Sequence, residues 1–174
     1  VTRNLTPEEM ETMLGTEHGG MPEVLADVYA LTGDPKYLAL SKRFCHRFVM
    51  DPLSRGEDRL NGLHANTQIP KITGAARLYE LTGEDYFHNL ADNFWNFVVT
   101  NRTYVIGGNS DSEHFFPPEE FHRHLSTATC ETCNTYNMLK LTEHLFAWQP
   151  AARLLDYYER ALYNQILGSQ DPRT

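Results

Sequence analysis

The sequence predicts an all-α protein made of repeated helical hairpins, and three observations predict it. An eleven-residue pattern recurs after fifty residues, apolar side chains recur at helical spacing downstream of each copy, and each copy ends in a helix-stopping glycine. The first copy is Val24-Leu-Ala-Asp-Val-Tyr-Ala-Leu-Thr-Gly-Asp34 and the second is Gly74-Ala-Ala-Arg-Leu-Tyr-Glu-Leu-Thr-Gly-Glu84. Tyr29 and Tyr79, Leu31 and Leu81, Thr32 and Thr82, and Gly33 and Gly83 coincide.

Taken in order, the first hairpin closes its leading helix at Gly33, which can adopt the left-handed conformation, and restarts with Asp34 as N-cap and Pro35 as first helical residue. Its second helix should bury Tyr37, Leu40, Phe44 and Phe48. The second hairpin repeats the design with Phe87, Leu90, Phe94 and Val98. A third, more divergent hairpin begins near Asn134, carries Met138, Leu141, Leu145 and Trp148 in register, breaks at Gln149-Pro150, and resumes from about Ala151 to Leu167. Between the second and third, residues 101–129 lose helical period and hold two glycines and two prolines within Tyr104–Pro118, which predicts a long, ordered, functional loop. Hairpins of this kind stack because none can bury its own apolar face, giving an open solenoid or a closed toroid. Their Tyr, Trp, Phe, His and Asn content suits a sugar-binding mouth, although core packing is the better account of any single aromatic.

Composition narrows the partners. A chain of 174 residues with 41% hydrophobic and 22% charged residues reads as one globular domain, and no apolar run approaches the roughly 20 residues that cross a bilayer. A net charge of -8 with scattered basic residues disfavours nucleic acid. Polar sequence directly after Val1 gives no leader peptide in the residues shown. Three cysteines, Cys45, Cys130 and Cys133, have the wrong parity for a disulfide scaffold. Cys45, between Phe44 and Phe48 on an apolar face, should simply be buried.

The most informative short motif is Cys130-Glu-Thr-Cys133. As C-x-x-C it is half of a structural zinc site lacking its other half, or a redox dithiol without the expected βαβ surroundings. Alternatively Glu131 and Cys133, two apart in an extended segment, project the same way and grip one metal ion, with Cys130 facing elsewhere. On that reading the helix dipole would favour the Cys133 thiolate. Buried, unreactive thiols are the remaining reading.

Three runs together carry more: His18-Gly-Gly-Met-Pro-Glu-Val-Leu-Ala-Asp-Val-Tyr29, Gly62-Leu-His-Ala-Asn-Thr-Gln-Ile-Pro-Lys71 and Glu131-Thr-Cys-Asn-Thr-Tyr-Asn-Met-Leu-Lys-Leu-Thr142. In this order they resemble the bacterial β-L-arabinofuranosidases of glycoside hydrolase families 127 and 146, over nearly the whole chain. The resemblance implies an (α/α)6 toroid, of which residues 1–174 would be a partial catalytic domain, with zinc held by one glutamate and three cysteines. Glu131 and Cys133 match the glutamate and first cysteine. The other two cysteines, one of them the nucleophile that forms a thioglycosyl intermediate, have no match before Thr174, so the chain alone should be inactive and hold zinc weakly. Glu113 matches the general acid/base. Its neighbours Phe115 and Phe116 would partly desolvate it and keep it protonated. His64 matches a histidine that reaches sugar hydroxyls; His18, Asn66 and Gln68 are further substrate-binding candidates.

Two other classes compete. Helical toroids also host sugar epimerases and unsaturated-uronide hydrolases, which use histidine or aspartate without a metal-thiolate centre; an α-solenoid scaffold would use the aromatics only for packing. A downstream Cys-Cys pair would separate these from the hydrolase. An incomplete toroid should also expose apolar flanks, requiring the rest of a parent chain or self-association.

Overall fold

The computed structural model describes residues 4–16 and 18–173. Among these residues, eight α-helices follow in order: α1 Pro7–Leu14, α2 Met21–Thr32, α3 Pro35–Arg43, α4 Arg47–Ser54, α5 Ala65–Thr82, α6 Asp85–Asn101, α7 Thr132–Trp148 and α8 Ala152–Arg160. α8 runs on through a π-helical turn, Ala161–Ile166, and a short 3-10 turn. Only isolated bridges, and no β-strand, occur among the described residues, so the all-α expectation holds.

Local signals explain the helix ends. Gly33 and Gly83 both take φ +69 at their C-caps and donate to the carbonyls of Tyr29 and Tyr79, the same closure at both copies of the repeat. The Asp34 side chain accepts from the Lys36 amide, with Pro35 at N1. α1 starts in a capping box in which Thr6 and Glu9 satisfy one another's backbone amides.

The helices α2, α5 and α7 lie side by side and parallel, with α5 in the middle. Along α5 and α7, Asn137 bonds Asn66 near the start, and Trp148 and His144 bond Glu80 near the end. α2 approaches α5 so closely that a Cβ on Gly74 would lie 2.6 Å from Pro22 Cβ and 2.8 Å from the Glu23 amide nitrogen. Only glycine permits that crossing. The core gathers on α5 and α6: Ile69, Ile72, Leu78, Leu90, Phe94 and Val98 are fully buried, with Met138 and Leu141 from α7. At roughly 25 cal/mol per Å² of apolar area, each such side chain contributes about 1.5–3 kcal/mol.

The first hairpin departs from the expected continuous helix. The chain leaves helical geometry at Phe44 and restarts after His46, so Phe48 lies on α4 and is 72% exposed instead of sharing the stripe of Tyr37, Leu40 and Phe44. The break serves a buried polar cluster. The fully buried Lys71 donates to the Leu14 carbonyl at 2.8 Å and lies 2.9 Å from His46 Nδ1. Burial, with the adjacent Lys71 charge, lowers the His46 pKa to about 4. This is a depressed cationic group. In the window between its ordinary value and about 4, the unfolded chain binds a proton that the folded chain refuses, so stability falls as pH drops, by on the order of 3 kcal/mol. Urea unfolding at pH 7 and pH 4 should show this loss, and His46→Asn, which keeps an acceptor but cannot titrate, should lose less.

Candidate active site

The three parallel helices begin at one end of the molecule, and the residues singled out by sequence lie there. A cleft of about 500 Å³ is lined by His18, Gly19, Gly20, Met21 and Val24 from the start of α2, and by His64, Asn66, Thr67 and Pro70 from the start of α5. His18 is exposed at its rim. Asn66 is half-buried and its Oδ1 accepts from Asn137 Nδ2 at 2.8 Å, so α7 joins the same wall. Gln68, in contrast, turns into the interior: it is 5% exposed, its Nε2 stands 3.5 Å from the His64 carbonyl, and it does not line this cleft.

The long loop reaches the cleft through α5. Residues 102–131 include a 3-10 helix, Pro118–Arg123, that periodicity did not reveal. Phe115 donates to the Leu63 carbonyl, Gly62 donates to the Phe115 carbonyl, and Ala65 donates to the Glu113 carbonyl at 2.7 Å. These three bonds hang the loop on the entrance of α5. Arg102, 3% exposed, braces it from behind with a bidentate bond to Asp58 and further bonds to Asn61 and the Phe116 carbonyl. Asp111 gathers the tip, accepting from Ser112, Ser126 and His124, and the His124 hydrogen bond leads in holding its pKa below the usual carboxylate range.

Glu113 sits in this loop at φ +67. Its side chain is 52% exposed, while Phe115 and Phe116 are buried, so the expected desolvation by these rings does not occur. The left-handed backbone turns the carboxylate outward as the rings turn in. Glu113 Oε2 lies 3.0 Å from His64 Nε2. His64 is itself the N-cap of α5, accepting at Nδ1 from the Thr67 amide at 3.2 Å.

Glu131 and Cys133 meet by a different route from the one expected. They do not share an extended segment: Glu131 is the N-cap of α7, and Cys133 lies in its first turn. Their side chains are nevertheless in contact, and hydrogen bonding to Glu131 is the largest cause of a raised Cys133 pKa, with burial next and Glu113 a lesser contributor. Cys130 takes φ +62 and lies against Gly108, apart from the pair. Burial raises its pKa and pushes the Cys45 thiol up to about 12. All three cysteines are free thiols. Oε2 of Glu131 is buried without a hydrogen-bond partner, and among the described residues no three His, Cys, Asp or Glu side chains are grouped as a metal site.

Sequence reasoning missed Asn137, Thr67 and Arg102. Asn137 stands one helical turn beyond Cys133, and that spacing was the available signal. The side-chain partners of Arg102, Asp58 and Asn61, lie more than forty residues away in sequence and carry no local signal.

The model of the β-L-arabinofuranosidase GH127 catalytic domain matches residues 1–174 throughout. The chain belongs to this family. Within GH127 and its curated relatives, it is 26% identical over 198 residues to the non-reducing end β-L-arabinofuranosidase of Bifidobacterium longum subsp. longum, covering 92% of this chain and 29% of that protein. A solved GH127 β-arabinofuranosidase superposes with a TM-score of 0.67 at 25% identity, covering 83% of this chain and 24% of that one. A GH127 β-L-arabinofuranosidase from Geobacillus stearothermophilus T6 shares the fold with a TM-score of 0.65 at 23% identity, covering 95% of this chain and 32% of that one. The GH127 chain described here thus spans less than a third of the length of each.

Proposed function

We propose that residues 1–174 form part of the catalytic domain of a retaining glycoside hydrolase that releases terminal β-L-arabinofuranosyl groups, closing into an (α/α)6 toroid with chain beyond these residues. One observation carries the reading: His64, in the wall of a cleft of about 500 Å³ at one end of three parallel helices, meets the Glu113 carboxyl at 3.0 Å, and the neighbouring helix α7, tied to the same wall by Asn137, starts with Glu131 and Cys133. The exposed Leu31 and Phe48 in the first hairpin and Leu155, Tyr163 and Leu167 in the third are apolar surface for the remaining hairpins, or a second copy, to cover.

Glu113 donates its proton to the departing glycosidic oxygen and later takes one from the incoming water. His18 and Asn66 bond sugar hydroxyls from the cleft wall, where Asn137 sets the direction of the Asn66 amide. The residues present fit a zinc ion: Glu131 offers a buried oxygen with no protein partner, and Cys133 offers sulfur beside it. Bound there, zinc would keep its sulfur ligands deprotonated. A tetrahedral set needs two more donors, and the nucleophile of the reaction comes with them from outside residues 1–174.

Hydrolysis of p-nitrophenyl β-L-arabinofuranoside by the full-length enzyme, followed by proton NMR, tests the proposal. Arabinose should appear first as the β anomer. Initial release of the α anomer, or an intact glycoside, defeats it; an epimerase would leave the glycosidic bond whole.

A further inference from the structure

His64 lines the cleft as a sugar-binding residue would, but neither of its ring nitrogens is free. A backbone N–H can only donate, so the Thr67 amide fixes Nδ1 as the unprotonated nitrogen, and the Thr67 hydroxyl also lies 3.0 Å from it. The neutral ring then carries its proton on Nε2, which points at Glu113 Oε2 at 3.0 Å and donates to it. Next to His64 in sequence, the Ala65 amide donates to the backbone carbonyl of the same glutamate at 2.7 Å. Two consecutive residues at the entrance of α5 thus hold Glu113 by its main chain and its side chain, at a position whose φ of +67 is unfavourable without such support.

We propose that His64 is the positioning residue of the acid/base: it transmits the direction of α5 to the Glu113 carboxyl. The inference rests on Glu113 being the acid/base, as in the function proposed above.

The two jobs of the ring separate in two variants of the full-length enzyme. His64→Asn places an amide oxygen near Nδ1, keeping the helix cap but losing the reach to Glu113. His64→Gln places an amide N–H near Nε2, keeping that reach. The measurement is kcat/KM on an alkyl and on a dinitrophenyl β-L-arabinofuranoside, which need strong and negligible proton donation in the first step. His64→Asn should lose about 10–100-fold on the alkyl glycoside and little on the dinitrophenyl one, while His64→Gln should keep the wild-type ratio of the two. Equal losses of His64→Asn on both substrates mark a sugar contact and overturn the inference. If His64→Asn does not fold, a His64→Gln enzyme that discriminates between the substrates as strongly as Glu113→Ala overturns it as well. Glu113→Ala separates the two levels of the argument: no leaving-group dependence in that variant removes Glu113 from the acid/base role itself.

Discussion

Glu113→Ala in the full-length enzyme should lower kcat/KM on an alkyl β-L-arabinofuranoside by about 10²–10⁴-fold, the usual contribution of a positioned proton donor. The loss divides by step. With a dinitrophenyl leaving group the first displacement needs no acid, so kcat/KM stays near wild type while kcat falls, because the second displacement still lacks its base. Azide needs no base and should restore turnover, leaving an arabinosyl azide that mass spectrometry identifies. Uniform loss on both substrates without azide rescue would mean that Glu113 only supports the loop, whose Ala65 bond to the main chain survives the substitution.

Cys133→Ser should remove the metal. The wild-type enzyme is expected to retain about one zinc per chain after dialysis against a weak chelator, as a site with protein ligands in place does, and the variant far less, with hydrolysis falling to background. Cys130→Ser is the informative companion. Its sulfur lies against Gly108 on a left-handed backbone, away from Glu131, so this variant should keep its zinc. Equal loss in both variants would restore the C-x-x-C reading, and a zinc-free wild type would remove the metal altogether.

Much of the fold was legible because its signals are local. The glycine stops at Gly33 and Gly83, the Asp34 cap and the stripe of Phe87, Leu90, Phe94 and Val98 each need only a few adjacent residues to be read, and each stands as expected. Phe48 was misplaced because apolar spacing runs straight through the break at residues 44–46. The contact that His46 makes at that break, with Lys71, is 25 residues distant. The site divides in the same way. The pairing of Glu131 with Cys133 follows from short spacing, although a helix cap and first turn achieve it. The direction of Glu113 did not follow from its neighbours, because a loop residue's orientation depends on backbone angles and on tethers such as Ala65 and His64 that sequence order does not expose.

The start of all three parallel helices at one end divides the labour within the protein. The groups assigned to the substrate in the proposed function occupy caps and opening turns, whereas the buried stripes that hold the helices together lie mainly further along. On the proposed function, substitutions at His18, Asn66 or Asn137 should therefore alter sugar acceptance with little effect on the interior. Gly74 belongs to the other group: any side chain there would have to push two of the helices apart.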